Sequence, residues 1–176
     1  HLEYVCLSYQ KNGRKWASIV CKSRLEAVVA AAGLAEGTYT VSAPRLGSEL
    51  KGLRYRHPFV EKNPTDKDAW FAINETFVTT EDGTGIVHIA PGHGEEDYQA
   101  GLNSHLAVYS PVRDDGCYDD SVPPWLRGKN VLQVDSAVNE HLRQIGLLVH
   151  EEKIVHSYPH CWRSKMPVIF RATEQW

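Results

Sequence analysis

The stretch TTEDGTGIVHIAPGHGEEDY, residues 79–98, organises the chain. It begins with a tight turn, because Gly83 and Gly85 can adopt positive φ at little cost. The apolar run of residues 86–90 predicts a short β-strand, and the glycine-rich loop of residues 91–94 ends it. Acidic residues then begin a predicted helix. The sequence therefore predicts a turn, strand, loop and helix start, a combination that builds ligand pockets.

Two side chains in this stretch are candidates for chemistry. Asp97 falls in the first turn of the predicted helix, where the positive end of the helix dipole stabilises negative charge. A carboxylate there, with His88 in the preceding strand, suits the capture of a cation such as an amino group. Taken singly, a strand histidine is more often structural, and an aspartate at a helix start is usually only a favourable dipole contact. The joint spacing of His88, the glycine loop and Asp97 favours a functional role for both side chains.

Composition narrows the class of protein. The 176 residues are 42% hydrophobic and 23% charged, which is ordinary for a globular domain. A net charge of −3 argues against a dedicated nucleic-acid binder, but not against a domain that meets only the end of an RNA. The four cysteines lack C-x-x-C spacing and are typical of free thiols in a reducing compartment. We expect the cytoplasm, or the soluble interior of an organelle.

The order of predicted elements indicates the fold class. A hairpin is predicted from residues 2–9 and 15–20, and a helix over 25–32, with a capping box at Ser23 and Glu26. A later helix begins at Asp135 or Ser136 and ends at Gly146. Further short strands are predicted at residues 39–41, 52–60, 69–78, 107–112, 147–150 and 153–157. Short strands with helices inserted singly favour a mixed α/β, β-rich fold, an antiparallel or mixed β-barrel with peripheral helices.

The composition changes near residue 156. Residues 156–176 are aromatic and basic, so we expect one domain over 1–155 and a separate connecting segment over 156–176. This segment contains three potential zinc ligands, His156, His160 and Cys161, but Ser164 stands where a C-x-x-C pair would be completed. Packing is the favoured role for these three residues. The aspartates of residues 114–120 lack the spacing of a calcium loop. We expect no metal and no cofactor.

Residues 83–94 (GTGIVHIAPGHG), followed by Asp97 and Tyr98, resemble the signature of the editing domain of isoleucyl-tRNA synthetases. Three other segments agree in order and spacing: residues 52–59 (GLRYRHPF), 111–116 (PVRDDG) and 157–176 (SYPHCWRSKMPVIFRATEQW). Valyl and leucyl relatives share the Gly-Thr-Gly turn and the aspartate, but do not usually carry His88 together with the Pro-Gly-His-Gly loop. The resemblance implies a domain inserted into a class I catalytic core, to which residues 156–176 return.

This resemblance implies a hydrolytic function. Valine and isoleucine differ by one methylene, which provides only about 1–3 kcal/mol of discrimination in an apolar pocket. An editing site therefore hydrolyses the ester of valine mischarged on the isoleucine tRNA, by attack of a positioned water. The implied partners are the 3′ end of that tRNA, its valine moiety and the rest of the synthetase, with no membrane.

The resemblance also implies roles for particular residues. Asp97 would grip the α-ammonium group, and His88 would lie beside the terminal ribose or the amino-acid side chain; these two are the candidate catalytic residues. The candidate substrate-binding residues are Gly92, His93, Gly94, Thr84 and Asp114. The family's threonine-rich stretch normally precedes the segment where this sequence starts. A second interpretation is therefore a non-catalytic module that binds an aminoacyl end or serves as a scaffold.

Overall fold

A computed structural model describes residues 1–153, 155 and 157–173. The chain divides into two compact units. The first unit comprises His1–Tyr55 and Phe71–His88, and the second comprises Arg56–Trp70 and Ile89–Trp176.

The first unit contains a four-stranded antiparallel sheet. Its strands are β1 (Glu3–Lys11), β2 (Arg14–Cys21), β3 (Tyr39–Val41) and β4 (Arg45–Leu46), and β1 pairs with each of the other three. The predicted hairpin is confirmed. Lys11 pairs with Arg14, which leaves Asn12 and Gly13 as a two-residue loop with φ of 51° and 74°. Positive φ at both loop residues matches the twist of the strands that such a turn joins.

The buried face of β1 forms the core of this unit. Val5, Leu7 and Tyr9 alternate along the strand and are 4%, 0% and 6% exposed. Since successive side chains point to opposite faces of a sheet, this spacing places all three on one face. Val20 and Cys21 at the end of β2 are buried as well. Burial of alternate apolar residues therefore holds the hairpin in register.

One helix follows the hairpin in the first unit. The helix α1 (Leu25–Ala31) comes after a 3₁₀ turn at Lys22–Arg24, and Gly33 with φ of 67° ends it as predicted. The predicted capping box is wrong. Arg24 occupies the N-cap position of α1, and no side chain forms a capping hydrogen bond there. Ser23 lies within the 3₁₀ turn instead, and its Oγ is 3.4 Å from Cys21 Sγ.

The second unit contains two further helices, α2 (Glu95–Asn103) and α3 (Asp135–Gln144). The helix start after the glycine loop is confirmed, and so is the end of α3, since Gly146 follows it with φ of 72°. The cap predicted at Asp135 or Ser136 is wrong, because the capping position is Val134 and no side chain caps it. Asn130 instead accepts the Leu132 N–H at 2.9 Å and caps a short 3₁₀ turn just before α3.

Most of the other predicted strands do not form. In the described part of the chain, residues 52–60, 69–78, 86–90, 107–112 and 147–150 contain no strand, and the prediction for 153–157 falls partly on residues outside it. Isolated bridges occur at Arg54–Phe71, Val112–Tyr118, Cys117–Asn130 and His160–Pro167. The mixed α/β, β-rich class with antiparallel pairing is confirmed, but the described strands form an open sheet and not the predicted closed barrel, because the later runs do not pair into further strands. No helix among the described residues is long and apolar enough to cross a membrane.

Candidate functional site

Asp97 is folded back onto the loop that precedes its helix. The Ala90 N–H donates a hydrogen bond of 2.9 Å to Asp97 Oδ2, and the Ala90 carbonyl accepts the His93 N–H at 2.8 Å. The Tyr98 N–H donates to the Gly94 carbonyl at 2.8 Å and begins α2. Ala90 therefore joins the carboxylate and the loop through its two main-chain groups. Asp97 Oδ1 has no hydrogen-bond partner among the described residues.

The glycine loop is held by close contacts on two sides. A Cβ on Gly92 would lie 2.2 Å from the Tyr109 carbonyl oxygen, and a Cβ on Gly101 of α2 would lie 2.6 Å from Pro91 Cγ. These two glycines are needed for close approach rather than for positive φ. Gly94 differs, since a Cβ there would make ordinary contacts of 3.5 Å with the Asp97 side chain. The loop is therefore fixed at Gly92 and has room beside the carboxylate at Gly94.

His93 contacts the main chain of a distant segment. Its Nδ1 lies 2.9 Å from the Phe170 carbonyl oxygen, and the Ala172 N–H donates to the Gly92 carbonyl at 2.8 Å. Since a carbonyl oxygen can only accept, Nδ1 carries the hydrogen. His93 Nε2 is buried with no hydrogen-bond partner in the described part of the chain. The His93 ring is thus engaged with the protein itself.

Asp114 lies in a second part of the same unit, at a surface depression of about 180 Å³. Its carboxylate pairs with the Arg171 guanidinium, whose Nη1 also donates to the Val112 carbonyl at 2.7 Å. The Asp114 side chain is 95% exposed, whereas that of Arg171 is 23% exposed. The depression is lined by Val112, Arg113, Asp114, Gly116, Ile169 and Arg171. Arg171 therefore connects the Asp114 turn to the same segment that His93 contacts.

The neighbouring carboxylate, Asp115, is engaged within its own turn. It accepts the Cys117 N–H at 2.9 Å and pairs with Arg113 at 3.2 Å. The Cys117 main-chain bond, followed by the Arg113 side chain, lowers the pKa of Asp115 below its ordinary value. Asp115 therefore stabilises the turn on which Asp114 is presented.

The Gly-Thr-Gly turn belongs to the first unit and packs on its hairpin. The Cys21 N–H donates to the Thr84 carbonyl at 2.8 Å, and the Tyr4 hydroxyl donates to the Gly85 carbonyl at 2.8 Å. Gly85 is buried with φ of 74°, and a Cβ on it would lie 2.4 Å from Cys21 Cβ. Thr84 Oγ1 accepts the Ile86 N–H at 3.3 Å. The side chain of Thr84 thus makes a local contact within the turn, and its carbonyl holds the turn to the hairpin.

His88 is exposed and lies in irregular backbone, not in the predicted strand. His88 and Thr84 are part of the first unit. The other candidates are part of the second unit: Gly92, His93, Gly94, Asp97 and Asp114. Within that unit the structure joins the loop to Asp97 directly, and to the Asp114 turn through residues 169–172.

Comparison with known proteins agrees with the resemblance. No family model matches the chain. It is 42% identical to isoleucine–tRNA ligase from Pyrococcus abyssi and 40% identical to that of Methanocaldococcus jannaschii, each over 99% of this chain. Over 74% of the chain it is 48% identical to isoleucine–tRNA ligase from Aquifex aeolicus. This chain is homologous to part of isoleucine–tRNA ligase.

The matches cover only a small share of each relative. The chain spans 16% of the Pyrococcus abyssi protein, 17% of the Methanocaldococcus jannaschii protein and 14% of the Aquifex aeolicus protein. The homology therefore relates the chain to one part of these ligases and not to their whole length.

Of the three potential zinc ligands, His160 and Cys161 lie in the described part of the chain. Among the described residues no group of three or more His, Cys, Asp or Glu could hold a metal ion, and His156 lies outside them. His160 Nδ1 lies 2.8 Å from the Tyr158 carbonyl oxygen. The Ser164 hydroxyl, followed by the Ser164 and Arg163 main-chain N–H groups, lowers the pKa of the Cys161 thiol. These contacts belong to a local turn at residues 158–168.

Sequence reasoning missed the part of residues 169–172 in the candidate site. The Arg171–Asp114 and His93–Phe170 contacts join residues 57 and 77 positions apart. No local pattern in the sequence marks Arg171 or the Phe170 carbonyl, because main-chain groups carry no sequence signal. The one available clue is the agreement of both segments, residues 91–94 and 157–176, with the same isoleucine–tRNA ligase family.

Proposed function

We propose that this chain is the editing domain of an isoleucine–tRNA ligase. Its reaction is hydrolysis of the ester bond that joins valine to a mischarged isoleucine tRNA. The observation that carries the proposal is the fixed carboxylate of Asp97, held by the Ala90 N–H at 2.9 Å beside a glycine loop, with Oδ1 unengaged among the described residues. The names of the relatives support the enzyme family, and the residues support the site.

A carboxylate held in this way suits an α-ammonium group. A hydrogen bond with a charged partner is shorter and roughly twice as strong as one between neutral groups. It contributes about 1.5–3 kcal/mol of binding free energy. Because Oδ2 is already bonded to Ala90, the carboxylate need not be ordered when the ligand arrives, and less conformational entropy is lost on binding. At Gly94 the main chain approaches this same carboxylate without crowding, since a Cβ there would make only ordinary contacts of 3.5 Å with Asp97. Asp97 is therefore the residue proposed to recognise the amine.

The remaining roles follow the family pattern. In this proposal His88 lies beside the terminal ribose or the amino-acid side chain, and water is the attacking group. The partners are the 3′ end of the mischarged tRNA and the rest of the synthetase. We further propose that residues 1–155 form the editing domain and that 156–176 connect it to a class I catalytic core.

A second candidate function is a non-catalytic module that binds an aminoacyl end or acts as a scaffold. It is favoured by the number of loop groups that bond within the protein. The His93 ring and the Gly92 carbonyl both contact residues 170–172, so neither is directed to a ligand. In this reading the loop supports Asp97 but provides no group for an oxyanion.

A module that binds an aminoacyl end shares recognition of the amine with an editing domain and differs from it in catalysis, whereas a scaffold does neither. Calorimetry with a non-hydrolysable valyl-adenosine amide and with its α-hydroxy counterpart tests whether the chain recognises the amine. Asp97→Asn should weaken binding of the amine and leave the hydroxy compound unaffected. Glu96→Gln is the matched control, since Glu96 lies in the same helical turn and is exposed. Equal binding of both compounds by the wild type would refute the proposed site.

Single-turnover deacylation then separates editing from simple binding. The substrate is the isoleucine tRNA mischarged with valine, and the same tRNA correctly charged with isoleucine is the control. Faster loss of valine than of isoleucine, abolished by Asp97→Asn, supports the editing function. Binding without any deacylation favours the second function.

A further inference from the structure

Residues 168–172, called the strap below, fasten the loop that carries the proposed amine site. We infer that this strap positions Asp97 and that His93 is a positioning residue, not a contact to the substrate. The inference rests on the proposed function, since it concerns the orientation of the same carboxylate. It gives residues 168–172 a part in the site itself, in addition to any connecting role.

The strap makes different contacts along its two edges. The Phe170 carbonyl and the Ala172 N–H bond to His93 and Gly92, as groups two residues apart do on one edge of an extended chain. The intervening Arg171 side chain reaches Asp114 and the Val112 carbonyl. Ile169 is on the same side, since its Cδ1 would lie 3.1 Å from a Cβ on Gly116. The strap therefore connects the glycine loop to the turn of residues 112–116.

A short series of hydrogen bonds links the strap to Asp97. The strap holds the Gly92 carbonyl and the His93 ring, and the His93 N–H holds the Ala90 carbonyl. The Ala90 N–H in turn holds Asp97 Oδ2. The Tyr109 carbonyl fixes the loop only at Gly92, so the His93 side of the loop depends on its own bonds to the strap and to Ala90. Loss of the His93 bond should therefore change the position of the carboxylate.

The surroundings of the two His93 ring nitrogens support a positioning role. Its Nε2 is buried and without a hydrogen-bond partner in the described ranges, so that atom is not presented to a ligand. Its Nδ1 donates to a carbonyl of the protein. In a strand pairing the donor to such a carbonyl is normally a main-chain N–H, and the imidazole takes that place here. What the site needs from residue 93 is one donor at the position of Nδ1.

This requirement provides a matched set of substitutions. In His93→Asn the amide nitrogen can occupy the position of Nδ1 and donate to the Phe170 carbonyl, whereas His93→Ala has no donor. His93→Gln carries the same amide one methylene further out and serves as a second loss variant if His93→Ala does not fold. All are compared with the wild-type chain and with Asp97→Asn.

The first measurement is the ratio of affinities for the valyl-adenosine amide and its α-hydroxy counterpart. We expect His93→Ala or His93→Gln to lower this ratio about tenfold, the lower range of an ionic hydrogen bond, and His93→Asn to retain it. A purely structural role would weaken both compounds equally and leave the ratio unchanged. An unchanged ratio in both loss variants, or an equal loss in His93→Asn, would overturn the inference.

The second measurement needs no ligand and separates this inference from the proposed function. Amide hydrogen exchange of Ala90 reports the bond to Asp97 in the free protein. We expect faster exchange at Ala90 in the loss variants and wild-type exchange in His93→Asn. If the wild type does not distinguish the two compounds, the proposed function fails. The exchange result alone then decides whether the strap positions Asp97. Unchanged exchange at Ala90 in both loss variants would refute it.

Discussion

Substitution of Gly92 by alanine should destabilise the second unit, although the change adds a single methyl group. The new Cβ would lie 2.2 Å from the Tyr109 carbonyl oxygen and 3.1 Å from Ser110 Cβ, where ordinary contact begins at 3.4 Å. The opposing atom belongs to the main chain and cannot rotate away. Overpacking of this kind costs about 1–3 kcal/mol of unfolding free energy.

The same loop provides a control two residues further on. A Cβ on Gly94 would make ordinary contacts of 3.5 Å with Asp97, and its φ of −166° is open to any residue. Gly94→Ala should therefore remain within about 1 kcal/mol of the wild type, because the lower chain entropy of its unfolded state offsets small losses. The pair isolates close approach from the general effect of replacing glycine.

Urea unfolding followed by tryptophan fluorescence and by circular dichroism measures both variants. The midpoint of Gly92→Ala should fall without a change in the dependence on urea, and that of Gly94→Ala should stay near the wild type. Gly92→Ala should also reduce the preference for the amine compound over its hydroxy counterpart, since the loop carries Ala90. Equal stability of the two variants would refute the argument that the Tyr109 main chain limits this loop.

Three further perturbations test other contacts. His57 Nδ1 accepts hydrogen bonds from the main-chain N–H groups of residues 59 and 60, at 3.1 Å each. His57→Ala should therefore lower the free energy of unfolding, measured in urea, by about 1–3 kcal/mol. An unchanged free energy of unfolding would contradict these bonds. Tyr4→Phe removes the buried donor to the Gly85 carbonyl and should cost about 0.5–1.5 kcal/mol, with Tyr39→Phe on an adjacent strand as a control. Because the pKa of Asp115 is lowered in the folded protein, its contribution to stability is present above the ordinary aspartate range and disappears as the pH falls through the lowered value. Asp115→Asn should therefore flatten the acid side of the stability profile, and an unchanged profile would exclude this contribution.

The hairpin and the start of α2 were predictable because their signals are local. Asn12 and Gly13 adopt positive φ readily, so the turn type and the register follow from two adjacent residues. The predicted caps at Ser23 and Asp135 were wrong for a related reason. In each case the chain enters the helix through a 3₁₀ turn, which moves the capping position by one residue or more.

The missing strand at residues 86–90 shows the limit of local pattern. An apolar run can form a strand only where a second chain segment supplies a ladder of hydrogen bonds, and that partner is not encoded in the run itself. Residues 52–60 and 107–112 have comparable patterns, and the described residues there make single bridges. Periodicity alone therefore does not decide whether such a run pairs into a sheet.

In the candidate site, local sequence patterns were enough to predict the glycine loop, the acidic helix start with Asp97 and the kinship with isoleucine–tRNA ligases. These depend on residue types at short spacing, which turn and helix chemistry interpret directly. The packing of Gly92 against the Tyr109 main chain and the contact of His93 with the Phe170 carbonyl became visible only in the folded chain. Both contacts are made to main-chain atoms, which every residue has, so residue types cannot specify them before the chain has packed.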